Sequence, residues 1–552
     1  MGEKFYVTDT DLSARFPIYT RANVGEVFPD PVTPLTSDTT LYLAELGWRD
    51  AWVRMGAFDA DEFPEGIFCQ LGVMGGYCYL NASLIRLFGE RAPGLSWQMM
   101  DEQFFGAQPG IPPYELMDGD DRPDLTEKIG GTFGYVLSQG KLSDLTELTD
   151  DREHTIELRL NRPDLSTLSN AELWGRYMSF VQHHRILFGH HLFATYMATV
   201  PLGIIAGVAT AVGRPDLIMP IIAGIGEVDS AAPSHAMWAL SRLDLDSAEF
   251  AAGFEQFLVD FGSRGPNEWE TRSPTWETRP ALALSAIDRM RQAPDSMDPA
   301  IQNAIRAEQR EIASAELLAI VEGDPAVHGQ LAAGINASHA WMPGRERTKT
   351  NNIRLIHEMR MPMRELGRRM VELGAFDEIE DFGFLKQAEM EPFLADPHSF
   401  SATIRERRTE YAALVVLEPP FLFVGSADGP ATWTRRDAVK VDQLATGDTL
   451  QGLPGCPGSA EGIARVILDS NDPAALEPGD ILVAPITDPS WTPLFVPAAA
   501  VVVDVGATMS HAIIVSRELG IPCVISATNA TRSIPNGARI RVDGDTGLVT
   551  IL

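Results

Sequence analysis

The residue best placed to do chemistry is His511. It follows the run AVVVDV (500–505) and the turn Gly506-Ala507-Thr508-Met509-Ser510, and it opens a predicted helix, HAIIVSREL (511–519), which Gly520 and Pro522 stop. An imidazole at that point lies beside the free N–H groups and the positive dipole end of a helix. A phosphoryl group carried on the ring is stabilised there. Thr508 and Ser510 add hydroxyl donors, while the second ring nitrogen needs an acceptor that the sequence does not name. The plainer alternative is a histidine that caps the helix or fills the core.

Other residues suit a transfer site. Arg345 and Lys349 are four apart and share one helical face. They either neutralise an incoming phosphorylated imidazole and the attacking oxygen or remain solvated surface charges. Arg264 either holds a phosphate or ties down the Gly265-Pro266 turn through backbone carbonyls. Glu268 is either a general base on a substrate hydroxyl or the ion-pair partner of Arg264. The histidines of QHHRILFGHH (His183, His184, His190, His191) invite a metal reading. Their seven-residue offsets place pairs on one face but two turns apart, too far for shared coordination without a partner element, so no metal site is expected. The alternative is that one of them lies in a substrate pocket and helps to deprotonate a hydroxyl. No GxxxxGK[ST] loop occurs, and GVMGGY (72–77) does not sit between a clear strand and helix.

The elements that must position these residues fall into three textures. The chain has 552 residues, too many for one core, and 45% of them are hydrophobic. Residues 1–45 are rich in Pro and Thr and read as an opening loop. From about 46 to 415 apolar residues recur at helical spacing, as in Leu355–Leu373 (LIHEMRMPMRELGRRMVEL). Leu192–Val212 carries no charge and is long enough to span a bilayer. Pro201, Gly203 and the flanking His190-His191 favour a buried helical hairpin instead. Residues 425–450 read as a linker with a short extended run. After Leu453 come short Val/Ile-rich strands (464–468, 480–484, 500–505, 522–527 and 539–552) and one short helix.

The formal net charge of −32 argues against nucleic-acid and membrane-surface partners. The four cysteines form no CxxC pair and no apolar leader opens the chain, so a reduced, cytoplasmic setting is expected.

The run from Gly506 to Val524 (GATMSHAIIVSRELGIPCV) resembles the swivelling phosphohistidine domain of the PEP-utilising enzyme family. Two further pieces are similar to that domain: Gly455-Cys456-Pro457-Gly458-Ser459-Ala460-Glu461-Gly462-Ile463-Ala464-Arg465, and Thr487-Asp488-Pro489-Ser490-Trp491-Thr492-Pro493. The family's PEP-forming members have a Thr where this chain has Met509, which is closer to the rifampin phosphotransferase branch. Asn23–Pro29 with Thr33-Pro34-Leu35-Thr36, Phe261–Glu268 with Arg272-Ser273-Pro274, Arg345-Glu346-Arg347-Thr348-Lys349, and Glu380–Leu385 resemble motifs of that branch.

The resemblance implies a multidomain α+β protein. A large, mostly helical acceptor-substrate domain (1–424) is followed by a linker (425–450) and a small swivelling β/β/α phosphohistidine domain (451–552). It implies His511 as the phosphoryl carrier, with Arg264, Glu268, Arg345, Lys349, Thr508 and Ser510 as phosphate- or substrate-binding residues. Relatives also need an ATP-grasp domain, for which the chain leaves no room before residue 23. The expectation is therefore a separate ATP-grasp subunit that binds ATP and Mg²⁺ and charges His511, as in phenylphosphate and 4-methylphenyl phosphate (p-cresol) synthases. The acceptor is then expected to be a small phenolic hydroxyl. The alternatives are a rifampin-type phosphotransferase half and a non-enzymatic phosphocarrier.

Overall fold

The computed structural model describes residues 4–105, 110–226, 228–438, 441–468, 476–487, 491–506 and 510–552. Strands Ile18–Thr20 (β1), Leu71–Met74 (β2), Tyr77–Asn81 (β3) and Leu422–Val424 (β4) form an antiparallel sheet in the order β2-β3-β1-β4. The glycines of GVMGGY serve as the β2–β3 turn: Gly75 (φ 57°) and Gly76 (φ 82°) both adopt left-handed conformations. The opening residues are thus not a loop throughout. β1 leads to the short helix Val24–Val27 (α1), and buried Arg21 fixes both by donating to the carbonyls of Cys78, Phe28 and Pro29 at 2.8, 2.9 and 3.2 Å.

The helical body is organised around Tyr42–Met55 (α2), Asn170–Met197 (α3), Thr199–Ala211 (α4), Pro299–Ile320 (α5) and Pro325–Leu373 (α6). α3 starts with a capping box, in which the Ser169 N–H donates to Glu172 (2.7 Å) and the Glu172 N–H donates to Ser169 Oγ (3.3 Å). Asp324 caps α6, whose 49 residues end at Gly374 (φ 77°). α3 packs along both α2 and α6, so the face bearing His184 and His191 is enclosed by helices.

The expected hairpin over Leu192–Val212 is corrected. α3 runs to Met197, breaks at Ala198, and α4 follows at once. Pro201 lies in the first turn of α4, where its missing N–H breaks no helical hydrogen bond. Asn170–Ala211 is long and apolar enough to cross a membrane by length and composition, and 56% of its most apolar window is buried in the protein.

The last hundred residues build an eight-stranded sheet. Its strands are Thr449–Gln451 (β5), Leu453–Cys456 (β6), Ser459–Val466 (β7), Ile481–Ala484 (β8), Ala500–Val503 (β9), Cys523–Ile525 (β10), Arg539–Asp543 (β11) and Leu548–Ile551 (β12), in the order β5-β12-β11-β7-β8-β9-β10-β6. β7 through β10 are parallel, and β8 and β9 are buried at every residue, which accounts for their unbroken apolar sequences. β11 alternates, with Arg539 and Arg541 outward and Ile540 and Val542 inward.

His511–Leu519 (α7) packs Ala512, Ile513 and Val515 on one face of the sheet, against Trp491, Phe495, Val501 and Val503. Gly520 ends it with φ 70°. The protein is thus a mixed α+β chain, a large helical region followed by a small sheet domain.

Candidate active site

The end of β9 and the start of α7 place His511 where the sheet domain meets the helical body. The ring is nearly enclosed, at 7% exposure. Nδ1 lies 3.1 Å from Thr487 Oγ1 and Nε2 lies 3.1 Å from Thr492 Oγ1, while the edge of Phe495 packs on it at 5.7 Å. Each ring nitrogen therefore has a hydroxyl partner: one accepts the ring N–H and the other donates to the ring lone pair. The backbone N–H of His511 donates to Glu26 Oε2 of α1 at 3.4 Å. Arg306 of α5 donates to the Gly520 carbonyl at 3.0 Å, clasping the far end of α7.

Three cations of the helical body act on this imidazole. Burial pushes its pKa well below the usual 6.5, and Lys349, Arg264 and Arg345 push in the same direction. The ring is held neutral, the form in which histidine is a nucleophile. Arg264 Nε pairs with Glu268 Oε2 at 3.0 Å, both side chains being buried, and Arg264 Nη1 donates to Thr350 Oγ1 at 3.2 Å. Arg345 pairs with Glu346 at 3.0 Å. Burial opposes ionisation of Glu346, but Arg345 and Lys349 outweigh it and hold the carboxyl below its usual range. Burial also lowers the Lys349 ammonium.

The sequence-predicted residues converge on this point, with one outside the described part. Arg345 and Lys349 on α6 and Arg264 on the loop after Phe261 all act on the His511 ring. Glu268 is seated as the ion-pair partner of Arg264. Ser510 occupies the N-cap of α7, and its Oγ is buried with no hydrogen-bond partner among the described residues; the same is true of Arg264 Nη2. Thr508 lies outside the described residues. The loop from Arg264 to Thr271 is fixed from behind by fully buried Arg360, which donates to the carbonyls of Glu268 (2.9 Å), Glu270 (3.0 Å) and Thr271 (3.0 Å). Glu270 in turn accepts from Thr33 N and Oγ1 and from Thr36 Oγ1, which gives the Thr33-Pro34-Leu35-Thr36 motif a structural purpose.

Three of the four histidines have partners of their own. His183 packs against His154, His184 Nε2 meets the Thr40 carbonyl at 3.1 Å, and His190 is bound by Asp151 (2.6 Å) and Glu147 (2.9 Å). Among the described residues no His, Cys, Asp and Glu side chains gather as a metal cluster.

His184 and His191 both line a cavity of about 160 Å³, together with Arg345. The other walls include Trp48, Phe188, Tyr196 and Trp269, and Asn23, Val24 and Val27 close it from α1. The cavity thus adjoins the His511 seat through α1 and Arg345.

Sequence reasoning alone gave no role to Thr487, Thr492 or Glu26. Both threonines lie in a segment singled out by resemblance, yet nothing local shows that they flank an imidazole. Glu26 reaches His511 across 485 residues of chain.

A neutral histidine at the start of a helix, beside clustered cations, is an arrangement that can accept and pass on a phosphoryl group. Residues 476–547 match the family described as PEP-utilising enzyme, mobile domain, and this stretch contains Thr487, Thr492 and His511. Residues 242–346 match the rifampicin phosphotransferase fourth domain, which takes in Arg264, Glu268 and Arg345. The chain therefore has one segment similar to the mobile domain of the PEP-utilising enzymes and another similar to a domain of rifampicin phosphotransferase.

It is 32% identical over 304 residues to rifampicin phosphotransferase of Streptomyces sviceus, covering 54% of this chain and 34% of that one. It is 31% identical over 316 residues to the prodigiosin synthesizing transferase PigC of Serratia marcescens, covering 55% and 34%. An uncharacterized protein of Mycobacterium tuberculosis is 32% identical over 314 residues, covering 57% and 33%. The chain spans about a third of the length of these relatives.

Proposed function

We propose that the protein is a phosphotransferase in which His511 carries a phosphoryl group from an ATP-cleaving partner to a small aromatic hydroxyl. The observation that carries this reading is the seating of a buried, neutral imidazole against Arg264, Arg345 and Lys349, beside a cavity of about 160 Å³ walled by aromatic rings. Phosphoryl transfer asks for positioning and for cations on the non-bridging oxygens rather than for elaborate covalent chemistry. Lys349, Arg264 Nη2 and Ser510 Oγ are suited to receive the oxygens of a phosphorylated ring.

The same seating supports a swinging carrier. A ring enclosed by Thr487, Thr492 and Phe495 and pressed on the helical body leaves no room for a nucleoside triphosphate. His511 is charged at a second station, by an ATP-grasp subunit that binds ATP and Mg²⁺. After the domain swings back, attack by the acceptor oxygen yields an aryl phosphate, with AMP and phosphate as the other products. Dividing one hard transfer between two stations is the benefit of the histidine intermediate.

The cavity favours a single-ring acceptor. Pockets for drug-sized molecules hold roughly 300–1,000 Å³, so a volume of about 160 Å³ suits a phenol or p-cresol better than a macrocyclic antibiotic. The test combines the protein with ATP, Mg²⁺ and the proposed ATP-grasp subunit, with or without p-cresol. AMP release and 4-methylphenyl phosphate that both depend on p-cresol are expected. Turnover of a rifamycin but of no simple phenol would assign the alternative acceptor, and a charged His511 that serves no small molecule would make the protein a phosphocarrier.

A further inference from the structure

The proposed reaction needs a group that grips the acceptor hydroxyl, and neither His511 nor the three cations can accept its hydrogen bond. His191 can. Its Nδ1 lies 3.1 Å from Thr348 Oγ1. The Thr348 hydroxyl spends its hydrogen on the Arg345 carbonyl at 2.8 Å, so it has only lone pairs to offer the imidazole. Nδ1 must therefore carry the ring hydrogen and Nε2 the lone pair. The Arg345 carbonyl is a second hydrogen-bond partner of the ring, no hydrogen bond joins Nε2 to a described side chain, and His191 forms part of the cavity wall.

Packing fixes the ring in place. Trp269 lies against it at 6.0 Å and 33°, and the Phe188 ring meets it nearly edge-on at 6.0 Å and 73°. Trp269 also lines the cavity, and its buried indole N–H has no partner among the described residues. A lone pair and an N–H donor thus share one apolar wall with Arg345, the pattern of polar groups that orients a ligand in an otherwise hydrophobic pocket.

We propose that His191 is the acceptor-binding residue of this site, its Nε2 taking the hydrogen bond of the acceptor hydroxyl and turning the oxygen toward His511. This rests on the phosphotransferase reading above. In the transfer the P–N bond of phosphorylated His511 breaks and a P–O bond to the acceptor forms. The hydroxyl proton ends on the imidazole nitrogen released at His511, so both products leave the step without a further reactant. His191 holds that proton in a hydrogen bond and does not keep it. Burial, with Arg345 and Lys349 adding to it, holds the His191 pKa down to about 3, which preserves the lone pair at any working pH.

Nitrogen-15 NMR of histidine-labelled protein tests the tautomer without any phosphate present. The expected spectrum shows His191 with Nδ1 protonated and Nε2 bare, and added p-cresol shifts the Nε2 signal. An Nε2–H tautomer, or an Nε2 signal unmoved by saturating p-cresol, would overturn the proposal. In rapid-quench transfer from phosphorylated His511 to p-cresol, His191→Phe keeps the packed ring shape and is expected to lose about 10- to 100-fold in rate, the value of one hydrogen bond to a group that gains charge in the transition state. His191→Gln, which returns an acceptor oxygen, is expected to recover part of that loss, while charging of His511 stays unchanged in both variants. A His191→Phe protein that transfers at the wild-type rate would refute the assignment. Failure to charge His511 in the wild type would instead sink the phosphotransferase reading, and the tautomer result tells the two failures apart.

Discussion

Lys349→Met is the perturbation that probes the cation cluster most sharply. Arg264 is paired with Glu268 and Arg345 with Glu346, each at 3.0 Å, whereas Lys349 has no ion pair among the described residues. Three cations less two carboxylates leave one net positive charge, and the substitution removes it while keeping an unbranched stem of similar length. A unit charge about 4 Å from a phosphoryl oxygen is worth about 4 kcal/mol at an effective dielectric constant of about 20. Loss of a preorganised donor to developing charge costs about 2.7–4 kcal/mol. At 1.36 kcal/mol per factor of ten, the transfer step is expected to slow by roughly 100- to 1,000-fold. The assay is single-turnover rapid quench of protein charged at His511, mixed with p-cresol. On the proposed two-station path, charging is expected to proceed normally. A transfer rate within about threefold of wild type, less than 1 kcal/mol, would refute the reasoning, as would a defect confined to charging.

The remaining predictions separate the carrier from its dock. Thr487→Val and Thr492→Val each remove one hydroxyl from the His511 ring; because both threonines travel with the carrier, each is expected to slow charging and delivery alike by about fivefold, the value of one neutral hydrogen bond of about 1 kcal/mol. Arg306→Ala removes the clasp on the Gly520 carbonyl and is expected to shift the unphosphorylated protein toward undocked shapes in small-angle scattering, with charging unimpaired; an unchanged scattering profile would count against that clasp. His190→Gln tests the buried network behind the site. Burial opposes charge on His190, but the hydrogen bonds it donates to Asp151 and Glu147 outweigh it and raise its pKa to about 9. Because the folded value lies above the unfolded 6.5, the stabilisation is complete below about pH 6.5 and fades as pH rises through about 9. The variant is expected to lose about 2 kcal/mol at about pH 6 and progressively less toward pH 10 by thermal melts, and a deficit that grows with pH would contradict this.

Local signals were enough for the parts of the fold that are local. The unbroken apolar runs of β8 and β9, the alternation in β11 and the Gly520 stop of α7 are all visible as residue patterns, because strand burial and helix termination depend on a few neighbouring side chains. Arg345 and Lys349 are four apart on one helix, so their proximity was legible too. The partners of the His511 ring were not. Thr487 and Thr492 reach it from the segment after β8, and Glu26 reaches it from near the N-terminus, contacts set by tertiary packing and by no local periodicity. His191 was visible only as one of four similar histidines. Its distinct role follows from Thr348, which sits on another helix and fixes its tautomer. Pro201 does not turn the chain back at Leu192–Val212, because in the first turn of a helix its missing N–H costs nothing.

The central claim is that His511 transiently holds phosphorus. Mass spectrometry under neutral or basic conditions, after incubation with ATP, Mg²⁺ and the ATP-grasp partner, tests it directly. One acid-labile phosphoryl group on His511, absent from His511→Ala protein that still folds, is the predicted result. A wild-type protein that stays unmodified, or one labelled equally well after loss of His511, would contradict the account.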